Sequence, residues 1–390
     1  MKRSGAILPG AVIGILGGGQ LGRMTAMAAR SYGYRVQVLD PEPACPARFV
    51  VDTCICADFG DARAAAGLAR GSDVVTVEIE SIPSDALRAA DSYAPLRPGI
   101  SALSLVSDRA LQKKWLSRSG FPCAPFQVVS DVAALADALQ TFFPDCFVKR
   151  SQGGYDGRGQ LRCGTAADAA QVFDKLGPGT LVVEQAIPLA AELSVLVARR
   201  PRGDIAVFPV AYNHHVGGIL RWSVLPAPQE EIPFRLSEQA QELARSIAEQ
   251  LAVEGLLTVE LFVNREGALL VNELAVRPHN TFHTTERATC VSQFEAHVRA
   301  VCDLPLGDVS LVKPAAIVNL LGDLWLADRP LDVAQMLDVP TLRLHLYEKA
   351  KPKPGRKMGH LSALGETPTK ARDRVLHAYQ ILTQTIDPKL

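Results

Sequence analysis

The sequence predicts a protein of mixed class, α/β at its start and α+β afterwards. Strand and helix signals alternate over roughly the first hundred residues, which indicates a parallel sheet with helical crossovers, in a doubly wound, Rossmann-like domain. Over residues 181–274 the signals are mostly those of strands, interrupted by one long helix, which is typical of an α+β domain. Two further apolar strands and a last helix predict a small C-terminal β-containing domain.

The elements of the first domain follow from apolar periodicity and from the residues that end helices. In chain order we expect a strand at Val12–Leu16, a helix at Gln20–Tyr32 closed by Gly33, a strand at Arg35–Leu39, a helix at Asp61–Arg70 and a strand at Asp73–Glu78. Ser107 is predicted to cap a helix over Asp108–Arg118, with Gly120 at its end, that leads out of this domain.

The later elements are predicted in the same way. The second unit is expected to begin with strand Phe126–Val129, helix Asp131–Leu139 and strand Cys146–Arg150. Its strand-rich part comprises Leu181–Gln185, Glu192–Arg200, Ile205–Tyr212, Leu256–Val263 and Ala268–Leu274, with the long helix at Ser237–Ala252. Beyond about Leu304 we expect strands Ala315–Leu321 and Leu342–Tyr347, a basic loop Lys349–Lys357 and a helix near Lys370–Thr383.

Composition limits the possible classes of function. The chain has 390 residues, 48% of them hydrophobic, with 41 basic and 41 acidic side chains, and it is long enough for roughly two or three domains. A balanced charge argues against nucleic acid as the main partner, and no apolar run approaches the roughly 20 residues of a membrane span. The 8 cysteines show no zinc spacing, so we expect buried, reduced thiols in a cytoplasmic protein.

A glycine-rich loop after a lysine-bearing strand predicts a nucleotide-phosphate site. The loop over residues 153–160 follows Lys149 and places Tyr155, Asp156 and Arg158 among its glycines. Glycines let backbone N–H groups approach phosphate oxygens, and a lysine supplies the charge that phosphoryl transfer needs. The loop lacks the Gly-Lys-Ser/Thr of a Walker A motif. Glycine content alone would fit a hairpin loop without a ligand equally well, but the three functional side chains disfavour that alternative.

The turn before the first helix matches a dinucleotide-binding pattern. Gly17, Gly19 and Gly22 follow a strand and open a helix, and Asp40 ends the next strand. Taken alone, this pattern predicts an NAD enzyme. Prolines crowd the segment after Asp40, however, and nothing downstream is typical of hydride transfer. A tight turn without any ligand is the other alternative.

The order and spacing of several motifs along the chain carry a family resemblance. They are Gly17–Met24, Asp108-Arg109 with Lys113, the loop 153–160, Glu184 with Glu192, Asn213, His215 with Gly218–Leu220, Asn272-Glu273, and Lys349 with Pro354–His360. The chain resembles the 5-(carboxyamino)imidazole ribonucleotide synthase family, the phosphoribosylaminoimidazole carboxylase ATPase subunit, of the ATP-grasp superfamily. The resemblance implies an ATP-grasp fold with an N-terminal domain at 1–107, an ATP-grasp domain at 108–304 (subdomains 108–180 and 181–304) and a C-terminal domain at 305–390.

The resemblance also implies an activity. It is that of an ADP-forming carbon-nitrogen ligase of purine biosynthesis, which uses ATP, Mg²⁺ and bicarbonate to form carboxyphosphate. The exocyclic amine of 5-aminoimidazole ribonucleotide captures this intermediate, or the carbon dioxide that it releases. Asp156 is the candidate to take the amine proton, Tyr155 and Arg158 would position it, and Lys149 would act on the transferred phosphoryl group. Members of the family are commonly homodimers.

Site residues are assigned by the same resemblance. In the ATP site, the backbone after Val183 would contact adenine, Glu192 the ribose and His215 the phosphates. The full ATP set is Arg109, Lys149, Gly154, Gly157, Gly159, Gln160, Glu184, Gln185, Ala186, Ile187, Glu192, His215, Asn272 and Glu273. The substrate set is Gln20, Leu21, Glu78, Tyr155, Asp156, Arg158, Arg277, His279, Lys349 and Arg356, of which the last two would bind the 5′-phosphate.

Glu260 and Glu273 are predicted metal ligands. If residues 264–267 form a hairpin loop, Glu260 pairs with Val271 and Glu273 lies one diagonal step away on the same face. Two neighbouring carboxylates repel unless a cation lies between them, and Mg²⁺ held by carboxylates and phosphates is usual in phosphoryl transfer. The alternative is two acids on a solvated strand face.

Other readings of the chain stay open at this point. His279 and His283 do not predict zinc, because Pro278 disfavours a helix and Arg277 would repel a cation. The chain departs from the family pattern at Val276, Thr281-Phe282, Thr284, Glu348 and Ala350. The alternatives are another ATP-grasp ligase with a different acceptor, an NAD-dependent oxidoreductase, and a binding protein without catalytic activity.

Overall fold

The computed structural model describes residues 5–154, 159–164, 168–327 and 331–384 of the chain. The predicted mixture of α/β and α+β architecture is confirmed, and the described residues form three sheets of four, nine and four strands. Within those described ranges, no helix is both long and apolar enough to cross a membrane.

The N-terminal unit, residues 5–107, is built on a parallel sheet with strand order β3-β2-β1-β4. Its elements are β1 (Val12–Leu16), α1 (Gln20–Ser31), β2 (Arg35–Asp40), β3 (Thr53–Cys56), α2 (Ala62–Arg70), β4 (Val74–Val77), α3 (Ser84–Asp91) and α4 (Ile100–Val106). All five predicted elements are present. The sequence analysis missed β3, which is a short edge strand, and the helices α3 and α4.

A second, small sheet follows a connecting helix, α5 (Arg109–Arg118). Its antiparallel strands lie in the order β5-β8-β6-β7. The elements are β5 (Phe126–Val129), α6 (Val132–Thr141), β6 (Cys146–Arg150), β7 (Gln160–Cys163), α7 (Ala169–Leu176) and β8 (Leu181–Gln185). The predicted cap of α5 was wrong: Asp108, not Ser107, caps the helix, because its carboxylate accepts the N–H of Leu111 at 3.0 Å.

The large sheet has nine strands in the order β14-β13-β9-β11-β12-β15-β17-β16, with β10 paired to β9. Its first strands are β9 (Leu189–Arg199), β10 (Ile205–Val207), β11 (Ala211–Val216), β12 (Ile219–Leu225), β13 (Gly255–Asn264) and β14 (Leu269–Ala275), with α8 (Phe234–Leu251) between β12 and β13. The single strand predicted at Ile205–Tyr212 is wrong. Pro209, which has no N–H to donate, separates the two shorter strands β10 and β11.

The C-terminal strands extend the large sheet, because β12 pairs with β15 at Trp222 and Val318. The remaining elements are α9 (Thr285–Ala288), α10 (Gln293–Val301), β15 (Ala315–Leu321), α11 (Asp323–Leu326), α12 (Val333–Met336), β16 (Arg343–Leu346), β17 (Lys357–Leu364) and α13 (Pro368–Thr383). The predicted basic loop therefore leads into a strand, β17, that the sequence analysis did not predict. Apolar residues of β12, β15, β17 and α13 form one core.

The N-terminal unit is held against the rest of the chain by specific contacts. The N–H of Ile7 donates to the carbonyl of Cys302 at 2.8 Å, and Arg97 pairs with Glu254 at 3.2 Å. A small core of Leu21 and Met24 from α1, Phe294 from α10 and Tyr347 lies between the N-terminal unit and the C-terminal strands. These contacts bring the start of α1 next to the segment that follows β16.

The cysteines are free thiols, as expected, but not all are buried. Cys45, Cys146, Cys163 and Cys302 are buried. The expectation of burial is wrong for Cys56 and Cys290, which are exposed. Cys56 ends the edge strand β3, and Cys290 follows the end of the short helix α9.

Candidate functional site

A buried ion-pair cluster joins the small sheet to α5. Glu184 Oε2 lies 3.1 Å from Lys149 Nζ and 3.2 Å from Lys113 Nζ. Burial raises the pKa of Glu184, but the two ammonium groups outweigh it and hold the pKa below its usual value. Burial lowers the pKa of Lys149, and Glu184 opposes that shift. Glu184 thus pairs with two lysines in a buried place, whereas a strand-end glutamate is more often solvated.

Lys113 was part of the family motif but was given no role in the sequence analysis. It lies four residues after Arg109 on α5, so the two side chains share one face of the helix. Arg109 Nη2 approaches Glu273 Oε2 at 3.7 Å on the large sheet, while Lys113 approaches Glu184 on the small one. The i, i+4 spacing of two basic residues was the signal that could have pointed to Lys113.

The described part of the glycine-rich loop is anchored at the start of α5. Arg109 donates to the carbonyls of Arg150 and Gly154, each at 3.2 Å, and Asp108 accepts from the Ser151 hydroxyl at 2.5 Å. Gly159 has φ of +71°, a conformation that favours glycine. Gln160, the first residue of β7, pairs with Lys149. The predicted Tyr155, Asp156, Gly157 and Arg158 lie outside the described residues.

The two predicted metal ligands face each other on β13 and β14. Glu260 is opposite Glu273, not opposite Val271 as predicted, because a β-bulge interrupts the ladder between Glu260 and Leu261. The bulge leaves Asn272 as the extra residue on β14, so Glu273 moves from a diagonal position to the directly facing one. This irregularity has no signal in the sequence, since each strand has an ordinary apolar pattern.

The surroundings of the two carboxylates differ. Glu260 Oε1 lies 3.0 Å from His279 Nε2, and Asn272 donates to Glu260 Oε2 at 3.4 Å. Burial raises the pKa of Glu260, but the nearby His279 outweighs it, so the pKa falls below its usual value. Burial and the facing Glu260 raise the pKa of Glu273, and Arg109 opposes this rise. Two facing carboxylates repel each other, and their oxygen atoms are the ligands that a hard cation such as Mg²⁺ prefers. A cation between them would relieve the repulsion.

The same face of the large sheet carries a third predicted acid. Glu192 and Ser194 lie two residues apart on β9, and Glu260 is opposite Ser194 on β13, so Glu192 and Glu260 share a face. Glu192 Oε2 lies 2.8 Å from His215 Nδ1. Burial lowers the pKa of His215, but the contact with Glu192 raises it above its usual value overall.

The two sheets present their charges to each other. The charge of Lys149 on β6 lowers the pKa of Glu273 on β14, and Glu273 raises that of Lys149. Beyond β8, the N–H groups of Gln185 and Ala186 donate to the carbonyls of Pro125 and Asp145, at 3.0 and 3.1 Å. The start of the predicted adenine-binding stretch, which continues to Ile187, is therefore fixed at the end of strand β8.

The glycine turn before α1 encloses a protein carboxylate. Glu78 accepts the N–H groups of Gly19 and, at 3.2 Å, of Leu21. A Cβ atom on Gly19 would overlap Glu78 Oε1, and one on Gly17 would lie 2.7 Å from Glu78 Cβ. Burial raises the pKa of Glu78 to about 7, although the N–H of Gly19 opposes this. Glu78 thus fills the helix N-terminus where a dinucleotide would place its pyrophosphate, which argues against the NAD hypothesis.

The remaining predicted substrate residues lie around this turn. Arg277 Nε bonds to Glu80 Oε2 at 2.7 Å, and the N–H of His279 donates to Gln293 Oε1 at 2.8 Å. Gln20 opens α1. Lys349 acts on Glu78 by lowering its pKa. Arg356 donates to the carbonyl of Lys351 at 2.7 Å, which closes the basic loop on itself.

A histidine cluster escaped the sequence analysis. His283 is buried and stacks on His360 with ring centroids 4.7 Å apart. Its ring thus packs against another histidine, in keeping with the expectation that His279 and His283 are not a pair of zinc ligands. Possible ligand atoms of Glu286, His345 and His360 lie within 4.8 Å of one another. The rings of His345 and His360 are stacked with 18° between their planes, so their edges do not converge. Arg343 and Arg287 act on Glu286, which further disfavours a cation there.

Comparison with protein families matches three successive parts of the chain. Residues 11–107 match the ribonucleotide synthetase preATP-grasp domain, and residues 114–294 match the ATP-grasp domain. Residues 315–374 match the phosphoribosylaminoimidazole carboxylase C-terminal domain. The matches confirm the predicted fold class.

Curated relatives are similar over nearly the whole chain. An N5-carboxyaminoimidazole ribonucleotide synthase of Bacillus subtilis (strain 168) is 41% identical over 360 residues, 91% of this chain and 92% of the relative. The enzyme of the same name from Brucella melitensis is 38% identical over 364 residues, 92% of this chain and 98% of the relative.

Solved structures are similar in fold over the same extent. An N5-carboxyaminoimidazole ribonucleotide synthetase in complex with ADP superimposes with a TM-score of 0.89 at 38% identity, covering 97% of this chain and 99% of the other. An N5-carboxyaminoimidazole synthase of Aspergillus clavatus, in complex with ADP and 5-aminoimidazole ribonucleotide, has a TM-score of 0.87 at 27% identity, covering 96% and 99%.

Proposed function

Because this chain belongs to the N5-carboxyaminoimidazole ribonucleotide synthase family, we propose which of its residues carry out the family's reaction. The enzyme is an ATP-dependent, ADP-forming ligase that carboxylates 5-aminoimidazole ribonucleotide in purine biosynthesis. The observation that carries the residue assignment is that Glu260 and Glu273 face each other on the large sheet, while the charge of Lys149 on the small sheet acts on Glu273. ATP phosphates would lie between the two sheets.

Lys149 is the proposed phosphate-binding cation. Its ammonium group is held by Glu184, which also contacts Lys113, so the lysine is oriented before ATP arrives. Arg109 links the loop carbonyl of Gly154 to Glu273 and would bring the glycine-rich loop close to the phosphates. Gly157, Gly159 and Gln160 belong to the same proposed contact surface.

Glu260 and Glu273 are the proposed Mg²⁺ ligands, with Asn272 beside them. Bound there, Mg²⁺ would neutralise charge on the phosphate oxygens. His279 pairs with Glu260 and Arg109 with Glu273, so each carboxylate has its own partner. Glu192, oriented by His215, is the proposed ribose contact, and the edge at Gln185, Ala186 and Ile187 is the proposed adenine contact.

The ribonucleotide is proposed to bind between the start of α1 and the basic loop. Gln20, Leu21 and Glu78 line the first side, and Lys349 and Arg356 would bind the 5′-phosphate on the second. Arg277, held by Glu80, and His279 lie between this place and the proposed phosphate site. Bicarbonate would react there to form carboxyphosphate. Asp156 is proposed to accept the amine proton, with Tyr155 and Arg158 positioning it.

ADP release tests the assignment. With ATP, Mg²⁺ and bicarbonate, we expect 5-aminoimidazole ribonucleotide to stimulate ADP release strongly. Asp156→Asn should abolish formation of the carboxylated product while nucleotide binding stays close to wild type.

Glu273→Gln should abolish Mg²⁺-dependent turnover. The control is Glu266→Gln, which changes an exposed acid in the adjoining hairpin loop and should leave turnover unchanged. Unchanged turnover in Asp156→Asn would remove the proposed proton acceptor, and ADP release without stimulation would point to another acceptor.

The domain boundaries are proposed at 1–107, 108–304 and 305–390, with subdomains 108–180 and 181–304. The three family matches, at 11–107, 114–294 and 315–374, support them. The homodimer and the cytoplasmic location that the sequence analysis expected stay predictions.

A further inference from the structure

An ion pair joins the first helix to the segment that carries Lys349. On α1, Arg23 Nη1 lies 2.8 Å from Glu348 Oε2 and Nη2 lies 3.1 Å from Oε1. The guanidinium thus forms a bidentate pair with the carboxylate. Arg23 Nη1 also donates to the carbonyl of Pro46 at 2.9 Å. The arginine side chain is only 13% exposed, so its position is fixed from the side of the N-terminal unit.

Glu348 has an unusual backbone conformation for its residue type. Its φ is +58°, in the left-handed region that favours glycine and strains a residue with a Cβ atom. The residue before it is firmly held, because the N–H of Tyr347 donates to the carbonyl of Met358 at 2.9 Å. A strained backbone persists where surrounding contacts enforce it. At this strained position, the side chain of Glu348 is the one that binds Arg23.

The next residue, Lys349, belongs to the proposed ribonucleotide site. Its ammonium group lies 5.7 Å from the centre of the Tyr347 ring, and its charge acts on Glu78. Glu78 in turn accepts the N–H groups of Gly19 and Leu21 at the start of α1. The helix that holds Glu348 through Arg23 is therefore also the helix whose first turn forms the other side of the proposed site.

Apolar packing supports the same alignment. Tyr347 is fully buried and packs with Leu21, Met24 and Phe294. The Arg23–Glu348 pair lies at the polar edge of this small core, and Glu348 is 49% exposed. An ion pair with one partner half exposed contributes little to overall stability, so its main effect is on the position of the segment that follows.

We propose that the Arg23–Glu348 pair positions Lys349 against the start of α1 and so sets the affinity for the ribonucleotide substrate. The inference rests on the proposed function, and both residues are positioning residues that act through Lys349. Loss of the pair weakens the enzyme's binding of the phosphorylated substrate equally in the ground state and in the transition state. It leaves the ATP site unchanged, because Lys149, Glu260 and Glu273 are held by other contacts.

Steady-state kinetics with full-length variants tests the proposal. We expect Arg23→Met and Glu348→Gln each to raise the KM for 5-aminoimidazole ribonucleotide by about tenfold, with kcat and the KM for ATP unchanged. Glu348→Gly should raise that KM as well, although it relieves the backbone strain. The exchanged pair, Arg23→Glu with Glu348→Arg, should recover most of the lost affinity.

Arg30→Met is the matched control. Arg30 is near the end of the same helix and pairs with Asp52 at 2.8 Å on the surface, so its loss should leave the KM for the ribonucleotide unchanged. A wild-type enzyme without ribonucleotide-stimulated ADP release would overturn the proposed function and this inference with it. A wild-type enzyme with that activity, whose Arg23→Met and Glu348→Gln variants keep the wild-type KM, would overturn the inference alone. An equal rise of the KM for ATP would also overturn it.

Discussion

At the residue scale, two buried glutamates show that the same side chain can be kept charged or brought close to neutrality by its partners. Glu184 lies between two ammonium groups, which hold its pKa below the usual value in spite of burial. Glu78 has backbone N–H groups as its main partners, and burial dominates. Since a buried carboxylate is stable as an anion only when it is paired, the number of cations around it decides its charge.

The raised pKa of Glu78 predicts a pH dependence of stability. Its pKa in the folded chain is about 7, against a reference value of 4.5. The folded state therefore binds the proton more tightly, and this contribution is fully present below pH 4.5 and is lost as the pH rises through 7. At about 1.4 kcal/mol per pKa unit, it amounts to roughly 3 kcal/mol. Because glutamine cannot ionise, we expect the free energy of unfolding of Glu78→Gln not to show this fall as the pH rises.

The measurement is the free energy of unfolding by urea, for wild type and Glu78→Gln, between about pH 5 and pH 8. The difference between the two proteins should shift in favour of the variant as the pH rises. Parallel pH profiles would show that Glu78 does not titrate in this range.

At the element scale, the start of α1 depends on the glycines of the turn before it, because a Cβ atom there would collide with Glu78. Glu78 packs closely against Gly17 and Gly19. The glycine pattern that predicted a dinucleotide site therefore leaves space for a carboxylate of the protein itself. The β13–β14 hairpin makes a related point, because one extra residue, Asn272, turns a diagonal pair of acids into a facing pair. In both elements the sequence pattern was recognised and its geometric consequence was not.

Two glycine-to-alanine substitutions, one just before α1 and one within α2, should have opposite effects. In Gly19→Ala the new methyl group overlaps Glu78 Oε1, so we expect a loss of about 1–3 kcal/mol in the free energy of unfolding as the buried hydrogen bonds are disturbed. In Gly67→Ala, on α2, the new Cβ has no atom of the described residues within 4 Å other than those of its chain neighbours and of its own helix backbone. Helix propensity alone then acts and should stabilise the chain by about 0.5–1 kcal/mol.

Urea unfolding of both variants checks the pair. Gly67→Ala is the control for general effects of the substitution, and its ribonucleotide KM should match wild type. A Gly19→Ala protein as stable as wild type would contradict the close fit of Glu78 against the turn.

At the scale of the whole molecule, the proposed ATP site lies between two sheets that have separate cores. The small sheet packs around residues such as Leu135, Val148 and Val183, while the large sheet runs without interruption into the C-terminal strands. Charges contributed by the two sheets influence one another across the site. A ligand that bridges them should therefore affect the small sheet more than the large one, because the small sheet has fewer strands to hold it.

Hydrogen exchange of the full chain should reveal this difference. Without ligand, we expect the amides of β6 and β8 to exchange faster than those of β9 and β13, which lie inside the large sheet. ATP with Mg²⁺ should slow exchange in β6 and β8. Strands β1 and β2 of the N-terminal unit serve as the internal control and should not respond. Equal exchange in both sheets, or no effect of ATP, would contradict the prediction.

The sequence by itself determined the class of the fold, most strands, the longest helices, the glycine-rich loop with Lys149, and the family. These features have local signals, such as apolar periodicity, glycine stops and motif spacing. Only the tertiary structure decided that Lys113 shares Glu184 with Lys149, that Glu260 faces Glu273, and that Arg23 holds Glu348. Such pairs join residues far apart in the chain, or depend on one bulge, so their energies arise only when the segments are packed together.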